Sequence, residues 1–557
     1  AVCLLTALVG DNSVIVCRHF PDGGGVYSAA RDQSRLLAAV GALLLVANFI
    51  VTAALSCNSA MHYFGVPDRW IATATVTMIV VIGGINYYGP KHTGSLALWL
   101  ALPMGIVVVL IVAMSLPHLS FEHLRPSPHA FGIRWQHFVG VILALSGVEA
   151  VANLTGVMKL DPGTTPEKPR VARTARLAIW PVALEVVLGT ILLGWAMLSL
   201  PPEVAPDPTA QRDYMVRYLG EQYAGMWFHS AVAGQLAGIL VGVMMGLLLL
   251  SAVNTAVAAQ VGLIYLLARD GELPRVFTRL NRHGVPWWPW VLAALLPAVT
   301  VAASGADIEV LARLYAIGVV GAITVNLGSC TFNRRLALKA GERIGMALTF
   351  VILFLVELTI AKTQHDALFF AICIVGIGLG LRGYTQRRAG LRTVTVRKEI
   401  AAAVAPEART GLEVNLKPGQ GVMGAARGLT PVLRFALEEA RLRQGTLYVL
   451  YVKEVAVNLP GPIQRHERPG WQDDTAAARI MSAMLQQGEQ LGVQVVPLYT
   501  VSDSPASTIL DLAATLGIDF LILGSPHRGK LVALMKGNVV TEVASRLPES
   551  IQLVIHG

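Results

Sequence analysis

The sequence predicts two bodies of different class: an all-α polytopic membrane bundle over residues 1–385 and an α/β doubly wound domain over 411–557, joined by a linker at 386–410. Three observations lead there. Only 14% of the 557 residues are charged, where soluble domains carry about 25%, and mean hydropathy is +0.58. Up to about residue 385 the charges sit between long apolar runs, and beyond it the composition is that of an ordinary soluble protein. From about Gly411 the apolar period changes from that of long helices to short β-branched runs.

A helix needs about 20 mostly apolar residues to cross the hydrocarbon. Eleven runs meet that need, near 1–17, 36–64, 70–88, 95–116, 138–157, 177–199, 231–267, 287–303, 308–331, 343–361 and 367–385. Loops between them alternate in basic charge. If the first run ends inside, inside loops and the tail hold twenty-three Lys and Arg, among them Arg18, Arg31, Arg173, Arg269 and Arg335, against six in outside loops. The positive-inside bias then places residues 411–557 in the cytoplasm of a multi-pass plasma (inner) membrane protein. It also accounts for the net charge of +9, so nucleic-acid binding is not needed to explain it. Trp287, Trp288 and Trp290 read as an interfacial anchor. The five cysteines lie in or beside apolar runs with no metal-ligand spacing, and read as buried free thiols.

Polar groups at membrane depth cost free energy unless a cavity or a partner receives them, so they are candidate sites. The run 138–157 holds Ser146, Gly147, Glu149 and Asn153 near its middle. A carboxylate beside glycine and asparagine suggests a broken helix whose freed backbone groups hold a solute; a paired carboxylate that only packs helices is the alternative. The run 36–64 carries Asn48, Phe49, Thr52 and Ser56, which at i, i+4, i+8 spacing share one helix face. Such hydroxyls line a path or bond carbonyls of their own helix. Tyr315 in the run 308–331 offers a hydroxyl at depth, or packing alone. Between the first two runs, Gly23, Gly24 and Gly25 permit a tight turn, and their apolar flanks argue that the segment packs; it lacks the spacing of a phosphate loop.

These residues resemble the amino acid–polyamine–cation (APC) superfamily of transporters over essentially the whole membrane part. The likeness rests on Phe20-Pro-Asp-Gly-Gly-Gly-Val-Tyr27, on Ser146-Gly-Val-Glu-Ala150 with the basic loop Pro166–Arg173, and on Asn254-Thr-Ala followed by Leu267-Ala-Arg-Asp-Gly-Glu-Leu-Pro274. The resemblance implies a LeuT-like bundle of inverted repeats with twelve helices. Eleven runs, with the glycine motif ending the first, imply that the first family helix precedes this sequence. It further implies a secondary active transporter, with a lipid bilayer, a small solute and a coupling ion as partners. The solute expected is an amino acid, with Glu149 carrying the proton or sensing the ion. The chain is also similar in layout to KimA-type potassium importers, which present Asp-Tyr where this sequence has Asn48-Phe49; loss of that carboxylate and hydroxyl weighs against potassium. A membrane sensor that moves no solute is a third reading, which the polar midline disfavours.

In the C-terminal part, runs starting at Val422, Thr446, Val493, Phe520 and Ile551 alternate with amphipathic stretches near 430–443, 473–491, 505–516 and 538–546. Such alternation predicts a parallel doubly wound sheet. It resembles the universal stress protein fold, whose phosphate loop would run from Gly524 to Asn538. Here His527 replaces the second glycine, Gly537 is kept, Asn538 replaces the hydroxyl residue and Arg427 stands where an Asp is usual. The resemblance implies an adenine nucleotide, a cyclic dinucleotide or no ligand, and raises a homodimer through this domain. The resemblance to a transporter implies no required cofactor or metal, and no catalytic constellation points to an enzyme.

Overall fold

The computed structural model describes residues 2–21, 25–31, 33–89, 93–121, 128–141, 160–164, 170–201, 208–388, 420–425, 428–455, 471–502, 504–524, 539–548 and 551–556. Thirteen described helices form the N-terminal body: α1 Val2–His19, α2 Gly25–Arg31, α3 Arg35–Phe64, α4 Asp68–Asn86, α5 Thr93–Ser115, α6 Phe131–Gly140, α7 Ala172–Leu198, α8 Met215–Trp227, α9 Ala231–Arg269, α10 Trp287–Ala303, α11 Ile308–Phe332, α12 Ala340–Thr363 and α13 His365–Arg388. Among the described residues nine helices are long and apolar enough to span a membrane, and α10 is a shorter apolar helix. The expected run 138–157 lies mostly outside the described residues. Helix α8 falls in a stretch read from sequence as a loop. At 13 residues it is too short to span, and its buried Leu219, Gly220, Tyr223 and Ala224 pack it on the bundle instead.

Small residues set the close crossings. Helix α9 carries Gly234, Gly238, Gly242 and Gly246, four apart and so on one face. A Cβ on Gly234 would lie 2.6 Å from the Glu221 carbonyl oxygen of α8, and one on Gly242 would lie 2.6 Å from the Tyr63 carbonyl oxygen of α3. The spacing is the small-residue helix contact common in membranes. Likewise a Cβ on Gly41 would meet Val26 at 2.7 Å, so α2 lies directly on α3. That seats the glycine motif's flank, with Val26 and Tyr27 buried as its apolar character predicts. Trp290 is a packing residue: its indole N–H donates to the Gly83 carbonyl at 2.7 Å and holds α10 against α4. Trp287 and Trp288 stay about half exposed, as an interfacial role requires. All five cysteines are free, with Cys17, Cys57 and Cys330 buried.

The C-terminal body holds β1 Val422–Ala425, α14 Pro431–Leu442, β2 Leu447–Glu454, α15 Thr475–Leu491, β3 Val495–Ser502, α16 Pro505–Thr515, β4 Phe520–Gly524, α17 Val539–Arg546 and β5 Gln552–His556. Its sheet has the order β3-β2-β1-β4-β5, every pairing parallel. Alternate residues feed two cores: Val422, Leu447, Val449 and Ile522 pack with Leu433 and Met481, while Met423, Tyr448, Leu450 and Leu521 pack with Ile509 and Val543. A sheet buried on both faces explains why its strands read as continuous apolar runs. The two bodies touch where Val455 and Val501 pack with Tyr265 and Leu280.

Candidate functional site

The polar residues of α3 meet α11. Asn48 is buried in the middle of α3, and a Cβ on Gly318 would come within 3.0 Å of its backbone nitrogen, so α11 crosses directly over it. One turn earlier in α11, buried Tyr315 shares a packed cluster with Val51 of α3. The structure therefore brings the Asn48 and Tyr315 regions together. The Thr52 hydroxyl donates to the Asn48 carbonyl at 2.7 Å, with Asn48 Oδ1 at 3.3 Å. That bond satisfies its own helix and leaves the oxygen free only as an acceptor. Ser56 continues the same line, half-buried. Phe49, about 100° round the helix, packs with the cluster of Val26, Ile50 and Leu263 and does not join the Asn48–Thr52–Ser56 line. Ser146, Gly147, Glu149 and Asn153 lie outside the described residues.

In the α/β body the strand order reverses between β1 and β4, where Ala425 pairs with Leu523. Open parallel sheets bind ligands outside the carboxyl ends of strands at such a switch point. Gly524 ends β4 there, and a Cβ on it would press Val432 at 3.3 Å. Arg427, two residues past the end of β1, and His527, Gly537 and Asn538, before α17, lie outside the described residues. Among the described residues no group of His, Cys, Asp or Glu could hold a metal ion.

Two features escaped the sequence reading. The first is a clamp between the motifs that carry the resemblance. Arg31 of α2 donates to Asp270 Oδ2 at 2.7 Å, and the Tyr27 hydroxyl donates to the same oxygen at 3.0 Å. Two residues on, buried Glu272 pairs with Arg382 of α13. At the same end of the bundle Arg18 grips Glu342 of α12 with two bonds of 2.8 and 3.1 Å. The second is a set of polar groups inside the helices: Asn12 donates to Thr349 Oγ1 at 2.9 Å, Asn86 to Asn254 Oδ1 at 2.7 Å and Asn58 to the Ala306 carbonyl at 2.6 Å. The signal for these was the same as for Asn48, a polar side chain in an apolar run.

A many-helix membrane body with buried polar crossings, carrying a doubly wound α/β domain, is the architecture of a permease with a fused soluble module. The amino acid permease family model matches residues 16–378, and the chain belongs to that family. The universal stress protein family model matches residues 427–554, so the second body is a domain of that kind. The chain is 23% identical to the potassium transporter KimA of Bacillus subtilis over 355 residues, covering 59% of this chain and 53% of that protein. It is 25% identical to the lysine-specific permease LysP of Escherichia coli over 251 residues, covering 43% of this chain and 49% of that protein. The chain thus spans about half the length of these relatives. Among solved structures it matches a universal stress protein from Archaeoglobus fulgidus at 22% identity and TM-score 0.19, over 24% of this chain and 92% of that one. It also matches the Eremococcus coleocola manganese transporter at 13% identity and TM-score 0.31, over 68% and 94%.

Proposed function

We infer that the chain is a secondary active transporter that moves an amino acid by alternating access, coupled to protons or another cation. The observation that carries this reading is the crossing of α3 and α11, where buried Asn48 lies under Gly318 one turn from Tyr315. Polar groups gathered at a helix crossing inside an apolar bundle are what a solute path requires. Ser146 and Glu149 would complete the path from the segment after α6, Glu149 carrying the proton. Likeness to a lysine-specific permease favours an amino acid. Likeness to a potassium transporter supports a second reading, potassium import. Against it, Asn48 puts a neutral amide in the line it shares with Thr52 and Ser56, where a carboxylate would favour a desolvated cation.

The α/β domain, which we place in the cytoplasm, would regulate transport by binding an adenine nucleotide or cyclic dinucleotide at the β1–β4 switch point. Its contact with Tyr265 and Leu280 gives such binding a mechanical route to the Asp270 clamp.

Uptake of labelled lysine, other amino acids and a potassium tracer into proteoliposomes tests the reading. Amino acid uptake driven by a proton gradient, lost in Glu149→Gln with insertion intact, supports it. Potassium uptake alone would transfer the case to the second reading, and no uptake of any solute would leave the sensor.

A further inference from the structure

Helix α12 carries a carboxylate that the solute path does not use. Glu357 lies in its second half, about 25 Å from one end and about 9 Å from the other. Its Oε2 is fully buried and has no hydrogen-bond partner. It faces α11 at a glycine: a Cβ on Gly321 would sit 3.1 Å from Glu357 Oε1 and 3.2 Å from Leu44 of α3. Seven residues along each helix the same contact repeats, where a Cβ on Gly328 would meet Phe350 at 2.8 Å. So Glu357 is held in a seam that glycines on α11 leave open, with apolar walls. Just past the end of α12, at its cap, Gln364 Oε1 is also buried without a partner.

An ionised carboxylate in such a seam costs several kcal/mol unless something neutralises it. No described cation does. Arg313 of α11 is paired with Glu309. Arg134 and His137 of α6, Asp11 of α1, and His365 and Asp366 of α13 are exposed. The stretch of α3 around Leu44 has no titratable group. Of the other titratable groups on these helices, Arg18 pairs with Glu342 and Arg382 with Glu272, Arg343 donates to the Asn333 and Leu336 carbonyls, His19 bonds the Ile15 carbonyl, and Lys362, Tyr384 and Arg387 are exposed. Tyr315 and the thiols of Cys3, Cys17, Cys330 and Cys373 are weak acids. A hard metal cation would need several oxygen ligands, and the seam offers one carboxylate beside leucine and glycine. A proton needs one oxygen.

We propose that Glu357 is a proton-binding site within the membrane, occupied while α12 packs on α11 and emptied when that seam opens to water, with Gln364 marking the polar route from the helix end. In the closed seam the carboxyl is neutral; when the helices part, water solvates the carboxylate and the proton leaves. As a coupling device this rests on the transport reading; as a proton site it does not.

The test is the infrared absorption of the full chain in lipid bilayers, recorded against pH. At neutral pH the wild-type protein should show the C=O stretch of a protonated carboxylic acid that E357Q lacks. Gly321→Ala keeps the carboxyl but wedges the seam, and should move the midpoint of that band to lower pH. Identical wild-type and E357Q spectra would overturn the site, and an unmoved midpoint in Gly321→Ala would overturn control by the seam. The band does not depend on solute: a proton site present in a protein that transports nothing would sink the transport reading alone. If both stand, E357Q in proteoliposomes should equilibrate solute without the proton gradient concentrating it.

Discussion

The guanidinium of Arg31 and the carboxylate of Asp270 meet at 2.7 Å although 239 residues separate them. Asp270 also accepts from the Tyr27 hydroxyl, and its side chain is only 10% exposed. Removing one partner of a mostly buried pair leaves an uncompensated charge and costs up to about 3 kcal/mol. We expect Arg31→Ala and Asp270→Ala each to lower thermal stability in detergent. Because both remove the same bond, the double variant should lose about 1–2 kcal/mol less than the sum. Additive losses would show that the two residues do not act as a pair.

The glycine face of α9 makes a sharper demand. Gly234→Ala would place a methyl group 2.6 Å from the Glu221 carbonyl oxygen, which as backbone cannot swing away. Overpacking of this kind costs about 1–3 kcal/mol. Gly189→Ala of α7, where an added Cβ meets nothing within 4 Å, serves as the control. The first should reduce the yield of folded protein and its melting temperature, while the second should leave both unchanged. Equal behaviour of the two variants would contradict the close crossing.

In the α/β domain, Asp474 caps α15 by accepting from the amides of Ala476 and Ala477, and pairs with Lys453 at 2.7 Å. Burial alone would raise its carboxyl, but the Lys453 bond and the two amides outweigh that and hold it below its ordinary value. A lowered carboxyl stabilises the fold above its unfolded pKa of about 4, and that contribution is lost as pH falls through the lower folded value. Asp474→Asn keeps the cap but not the ion pair, whereas Asp474→Ala loses both, with about 1 kcal/mol for the cap. Melting curves against pH should show both variants less stable than wild type above about pH 5; in acid Asp474→Asn should converge with wild type, while Asp474→Ala keeps a gap of about 1 kcal/mol for the lost cap. A gap between Asp474→Asn and wild type that does not narrow in acid would argue against the ion pair.

Coupling between the bodies predicts the behaviour of a truncation. Ending the chain after Arg388 should leave uptake active and insensitive to adenine and cyclic dinucleotides. Val455→Asp, which charges the contact with Tyr265 and Leu280, should reproduce that insensitivity with the domain still present. Regulatory coupling typically amounts to 1–3 kcal/mol, or roughly 5- to 150-fold in affinity, so the effect is measurable as a shift in apparent solute affinity. A truncated protein that inserts normally but transports nothing would make the domain part of the transport machinery.

Elements whose signal is local were legible in the sequence. Strands β1 to β5 and helices α14 to α17 fall within about three residues of their expected bounds, because apolar period and β-branching are read within a single segment. The parallel order followed from their alternation. The site was legible only in part. Asn48 and Tyr315 could be singled out because each is conspicuous in its own run, yet their meeting depends on Gly318, a residue with no chemical signal. Asn12 and Thr349 are 337 residues apart, and no window of sequence shows that one satisfies the other. Glu357 is the single carboxylate in the apolar run 346–361, and only the glycine opposite reveals where it points. Phe49 shows the reverse error: adjacency in sequence suggested a shared face, and helical rotation separated it.

Helix α9 has 39 residues, which makes it about 58 Å long, nearly twice the thickness of a bilayer's hydrocarbon core. Its far end carries both Tyr265, against the α/β domain, and Asp270, the hub of the clamp. A rod of that length is a lever: a tilt of about 10° about its middle sweeps its end through about 5 Å. That is more than the reach of a hydrogen bond, so such a tilt would make or break the Arg31–Asp270 bond.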